Sequence, residues 1–125
     1  MKLQANRPIG LNVVTAHGEG YFAVNGNRYH QSLLLTPQGL ETEWTIGGFE
    51  ALTEADFHRL AQLDCEVLLL GTGRRQRFPE PSLLAPMMVA KIGVEVMDSA
   101  AAARTYNILA AEGRQVAALL LMDHA

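Results

Sequence analysis

Gly71-Thr72-Gly73 is the segment of this sequence with the strongest claim to chemistry. It follows the apolar run Val67-Leu68-Leu69-Leu70, and a glycine-rich turn after a buried strand is where α/β sheets cradle phosphates. The dinucleotide pattern needs a third glycine three residues after the second, where this chain has Gln76, and no Gly-Lys-Ser/Thr occurs to make a phosphate loop. Pro79 and Pro81 stand where a helix would have to start. Two readings remain. One is a tight structural turn. The other is a ligand site in which Gly71, Thr72 and Gly73 at the carboxyl end of one strand, and Asp98 and Ser99 at the carboxyl end of another, share a crevice. Helix N-termini there favour anions, and Arg74, Arg75 or Arg77 would supply the counter-charge.

Other chemistry is weaker. His17, His30, His58 and His124 show no metal-type spacing among themselves or with Cys65, so no metal site and no cofactor are expected. Cys65 precedes a buried strand and reads as a packed small side chain rather than a nucleophile. No Gly-x-Ser-x-Gly elbow is present. Glu95 and Asp98 lie near a strand end and would do acid–base work if burial split their affinities for protons; the plainer expectation is that Asp98 or Ser99 caps the next helix and Glu95 pairs with an arginine. Thr105-Tyr106-Asn107 interrupts an alanine-rich helix with poor helix formers, and Asn107 is placed to reach a neighbouring backbone or a partner.

The elements that position these residues follow from pattern. Val13–Ala16 and Tyr21–Val24 read as strands around a His17–Gly20 turn, and Asn25-Gly26-Asn27 is a hairpin signal leading into a strand from Arg28 to Leu35. Leu40–Ile46 alternates as a further strand. Thr53 caps a helix with Glu54 and Asp56 in its first turn and Leu52, Phe57, Leu60 and Leu63 along one face. Val67–Leu70 is a buried strand, Ser82–Lys91 a helix with Pro86 in its first turn, and Val94–Met97 a strand. Ala100–Glu112 is a helix closed by Gly113, and Val116–Met122 is the last buried strand. This alternation implies a parallel or mixed α/β sheet covered by helices, with an N-terminal β-hairpin that packs at its edge or forms its own layer.

Composition bounds the answer. A chain of 125 residues, 49% hydrophobic and 18% charged, is expected to fold as one domain over residues 1–125, and its low charge hints at a surface covered by a partner or a second copy. The net charge of −3, with only the short basic cluster Arg74, Arg75 and Arg77, argues against nucleic acid. The single cysteine fits a reducing compartment. With no signal-peptide pattern and a longest apolar run of seven residues, a cytoplasmic protein without membrane insertion is expected.

Several segments are recognisable as a set: Tyr29-His30-Gln31-Ser32-Leu33-Leu34, Trp44, Leu68 to Gly73, Phe78-Pro79, Gly93 to Ser99, Arg104 to Leu109 and Glu112 to Ala118. Together they resemble the Mth-type domain family of small proteins of unknown function, which includes the third assembly factor of mitochondrial NADH:ubiquinone oxidoreductase (complex I). The resemblance covers residues 10 to 122. It implies a three-layer α/β fold around a mixed, mostly parallel sheet with one antiparallel strand, and supplies no catalytic mechanism. Two functions follow as expectations. The first is a non-enzymatic binding or assembly protein, related to respiratory-complex assembly, with a protein partner or self-association. The second is a small-molecule or anion site, catalytic or not, at the carboxyl ends of the parallel strands.

Overall fold

A computed structural model describes residues 11–42, 44 and 47–123. Asn25 and Gly26 take positive φ values of 53° and 87° between strands β2 (Tyr21–Val24) and β3 (Asn27–Tyr29), as a two-residue hairpin turn requires. With β1 (Val14–Gly18) they form a three-stranded antiparallel sheet in the order β1-β2-β3.

The chain then leaves that sheet. The expected strand Arg28–Leu35 is two strands: β3 ends at Tyr29, and β4 (Leu33–Thr36) begins in a second sheet after the break His30-Gln31-Ser32. The reason is burial. β4 is apolar on both faces with Leu33, Leu34 and Leu35 all buried, whereas β3 is mostly exposed. β5 (Gly39–Thr42) pairs with β4 as a short antiparallel edge; the remainder of the expected strand to Ile46 falls largely outside the described residues, although Trp44 is buried.

A helical turn at Phe49–Ala51 precedes α1 (Glu54–Leu60), whose Thr53 cap exchanges hydrogen bonds with Asp56 in a full capping box. β6 (Val67–Gly71) follows, then a loop, a turn at Pro81–Leu84 and α2 (Ala85–Ala90), with Pro86 in the first turn where its missing N–H costs nothing. β7 (Gly93–Met97), α3 (Ser99–Ala111, capped by Asp98) and β8 (Val116–Leu120) follow as the last of the described elements.

The second sheet has the order β5-β4-β8-β6-β7. β6 is parallel to β7 and β8, while β4 is antiparallel to β8 and β5. Because strand side chains alternate, the central strands feed two cores. Leu33, Leu35, Leu69, Val116, Ala118 and Leu120 face α3 and the hairpin's Val14, Phe22 and Val24. Leu34, Leu68, Leu70, Ala117, Leu119 and Leu121 pack with Phe57 and Leu60 of α1 and Met87 of α2.

Tyr106 and Asn107 explain their presence in α3. Asn107 accepts from the Val14 N–H at 2.9 Å and donates to the Val14 C=O at 2.8 Å, completing the edge of β1. Tyr106, fully buried, donates its hydroxyl proton to the Asn12 carbonyl at 2.8 Å. Burial pushes its phenol well above the usual range, so the hydroxyl stays a donor. Asn107 thus clamps β1 to α3.

Candidate functional site

Gly71 of β6 lies level with Met97 of β7 and Leu120 of β8, so three parallel strands leave the sheet side by side. This is the sheet end at which α/β folds place ligands. The sequence-selected segments do converge there, and the connection is made by hydrogen bonds. The Ser99 N–H donates to the Gly73 carbonyl at 2.8 Å, and the Gly73 N–H donates back to Ser99 Oγ at 2.8 Å. Ser99 Oγ in turn donates to the Leu121 carbonyl at 2.7 Å, and the Leu121 N–H donates to the Gly71 carbonyl at 3.0 Å. Ser99 is buried, so its hydroxyl ties the three exits together away from water.

Thr72 is fully buried beside this knot. Its N–H donates to the Met97 carbonyl at 2.9 Å, and its hydroxyl donates to the Arg75 carbonyl at 2.6 Å while accepting from the Arg77 N–H at 3.0 Å. Those bonds fold the 72–77 loop back on itself. Glycine is required twice here. A Cβ on Gly71 would stand 2.8 Å from the Ser99 Cα, and Gly73 combines a φ of +105° with a position against the Asp123 carboxylate that leaves no room for a side chain.

The arginines divide. Arg77 turns inward: its guanidinium donates to the Thr72 carbonyl at 2.9 Å, to Asp123 Oδ1 at 3.0 Å and to Glu50 Oε2 at 2.5 Å, and it lies 4.6 Å over the Phe49 ring. Arg74 is exposed; its backbone N–H donates to Asp123 Oδ2 at 2.9 Å, and its guanidinium lies 3.8 Å from Glu19 Oε2 on the β1–β2 turn. Partial burial on its own raises the Asp123 carboxyl, but the Arg74 N–H and the Arg77 and Arg74 charges outweigh it and hold the group below the usual carboxylate range.

A crevice of about 370 Å³ opens between these exits and the β1–β2 turn. Gly73, Arg74, Asp98 and Ser99 line it; Gly71, Thr72 and Arg77 do not. Its opposite wall is His17 to Phe22, and its floor includes Leu121, Met122 and Asp123. Sequence reasoning missed Asp123 and that wall. The signal for Asp123 was available, since it follows the third buried strand as Gly73 and Asp98 follow the other two. Asp98 caps α3, accepting from the Ala101 N–H at 2.8 Å. Glu95 forms no ion pair among the described residues. No group of three or more His, Cys, Asp or Glu among those residues could hold a metal ion, and no helix among them is long and apolar enough to cross a membrane.

Comparison with known proteins places this geometry. A protein from Bordetella parapertussis of known crystal structure is 43% identical, with a TM-score of 0.84, covering 93% of this chain and 100% of its own. The solution structure of a Bordetella pertussis protein described as a Mth938-like domain is 38% identical, with a TM-score of 0.80, covering 98% of this chain and 93% of its own. The bovine protein named NADH dehydrogenase [ubiquinone] 1 alpha subcomplex assembly factor 3 is 34% identical over 95% of this chain, which spans 65% of that relative's length. The model of the family described as protein of unknown function (DUF498/DUF598) matches residues 14–121, and the chain belongs to that family.

Proposed function

We propose that this chain is a non-enzymatic binding or assembly protein that works by holding a protein partner or a second copy of itself. The observation that carries this is the bond network at the sheet end. Ser99, Thr72, Arg77 and Asp123 are engaged in joining β6, β7 and β8, so the residues best suited to chemistry serve to fix the fold. Met88 and Val89, adjacent on α2, are 75% and 84% exposed, which supports a surface completed by a partner. Such a partner buries at least ~1,000 Å² in total to be specific. The bovine relative's name supports a role in respiratory-complex assembly, extended here to a chain that spans 65% of that relative.

On this proposal residues 1–125 form a single Mth-type domain, three-layered around a mostly parallel sheet; apolar clusters on both sheet faces and four strands that run opposite to β4 support that form. It acts in the cytoplasm, without membrane insertion or nucleic acid, in keeping with a net charge of −3. Affinity capture with the tagged full chain from native lysate tests it. Enrichment of respiratory or membrane-assembly proteins is expected, and repeated failure to enrich any of them overturns it.

The crevice favours a second reading, a small-molecule or anion site in which Gly73, Arg74, Asp98 and Ser99 meet the ligand, Gly71, Thr72 and Arg77 hold the loop behind them, and Arg74 is the exposed cation at its mouth. Thermal-shift screening against nucleotides, phosphorylated metabolites and carboxylates decides it, because a ligand at 100 times its Kd stabilises by ~2.7 kcal/mol. A shift abolished by Arg74→Ala supports the site; no shift with any probe removes it.

A further inference from the structure

We infer that the free edge of β7 takes up an extended, basic peptide segment as an added strand, which gives the binding function proposed above a partner class and rests on that proposal. Among the described residues β7 ends the five-stranded sheet, with β6 on one side and no strand on the other. The bonds Gly93 N–H to the Glu66 carbonyl and Thr72 N–H to the Met97 carbonyl fix which groups face β6. In a parallel ladder those belong to Gly93, Glu95 and Met97, so Val94 and Val96 point their N–H and C=O groups outward. The outward direction is visible at Val96, whose carbonyl accepts from Gln76 Nε2 at 2.9 Å. The Val94 N–H, Val94 carbonyl and Val96 N–H have no hydrogen-bond partner among the described residues. An extended segment satisfies all three while leaving Gln76 in place or displacing it.

The side chains specify the occupant. Val94 and Val96 lean toward the face carrying α2, where Met88 and Val89 are 75% and 84% exposed. Glu95 points to the other face, exposed and without an ion pair among the described residues. A second copy is disfavoured, because antiparallel pairing of two β7 edges about Glu95 sets the two carboxylates against each other. A strand with apolar residues on one face and Lys or Arg opposite Glu95 satisfies both sides.

Titration of the isotope-labelled full chain with the peptide Ac-Thr-Val-Lys-Val-Lys-Val-Thr-NH2, followed by amide NMR, tests this. The expected result is movement of the Val94 and Val96 amides, about fivefold weaker binding of the analogue with Glu in place of both Lys, and reversal of that preference by Glu95→Lys. Val96→Pro removes one outward donor and should abolish the titration; Glu95→Lys keeps the test valid if that variant fails to fold. Movement confined to the β1–β2 turn, or a preference that Glu95→Lys leaves unaltered, overturns the assignment. If no peptide moves β7 while lysate capture succeeds, the edge is wrong and the binding function stands. If β7 takes the peptide and lysate capture fails, the edge stands and the assembly role falls.

Discussion

Replacing Ser99 with Ala removes one oxygen and leaves two buried backbone groups, the Gly73 N–H and the Leu121 carbonyl, without their partner. Both bonds are short, at 2.8 and 2.7 Å, and Ser99 is 3% exposed, so water does not replace the hydroxyl. A buried polar group left unpaired costs about 1–3 kcal/mol. Two such groups, partly relieved by relaxation, cost about 3 kcal/mol in total, or a fall of about 10 °C in Tm for a domain of this size. Ser32→Ala is the internal comparison: its hydroxyl accepts a single N–H, from Met122 at 2.9 Å, and its loss should cost about half as much. Urea unfolding of the three proteins, read by circular dichroism, measures both differences. A loss below about 1 kcal/mol for Ser99→Ala, or one no larger than that of Ser32→Ala, refutes the claim that this hydroxyl ties the strand exits together.

Three further outcomes are expected. Gly73→Ala forces a side chain into a φ of +105° against Asp123 and should destabilise by about 2 kcal/mol or more, measured in the same unfolding assay. Asn107→Ala strips the two bonds to Val14 and should cost about 2 kcal/mol, with β1 amides exchanging faster than those of β6 in hydrogen-exchange NMR. The Asp123 carboxyl is held below its usual range in the folded chain, so its stabilisation is present above the unfolded value of about 4 and is lost as pH falls through the lower folded value. The stability gap between wild type and Asp123→Asn should therefore be open at neutral pH and close in acid; a gap that does not depend on pH contradicts the ion pairing.

Local signals carried much of the fold. The run Val67–Leu70 ending in Gly71, the Thr53 cap with Asp56, and the Asp98 cap before an alanine-rich helix each specify their element within a few residues, because caps and buried runs depend on near neighbours. The division of Arg28–Leu35 was hidden because both halves have strand character; what separates them is assignment to different sheets, a long-range fact. For the same reason the crevice was half legible. Gly73, Arg74, Asp98 and Ser99 stand out by following strands, whereas His17–Phe22 joins them only because Asn107 and the α3-facing core fold the hairpin over the sheet end. Sequence position offers Arg77, like Arg74 and Arg75, as a counter-charge for a ligand. The Arg77 guanidinium is instead engaged with Asp123, Glu50 and the Thr72 carbonyl, partners 46, 27 and 5 residues away in sequence.

Whether the sheet end is closed by its own bonds can be measured at one amide. If Ser99 Oγ holds the Gly73 N–H as described, that proton should exchange with solvent only about as fast as the whole domain unfolds, despite belonging to a loop. Exchange of the Gly73 amide at the rate of the exposed Arg75 and Gln76 amides would mean that the exits are open, and the case for a structural rather than a chemical role of this cluster would fail.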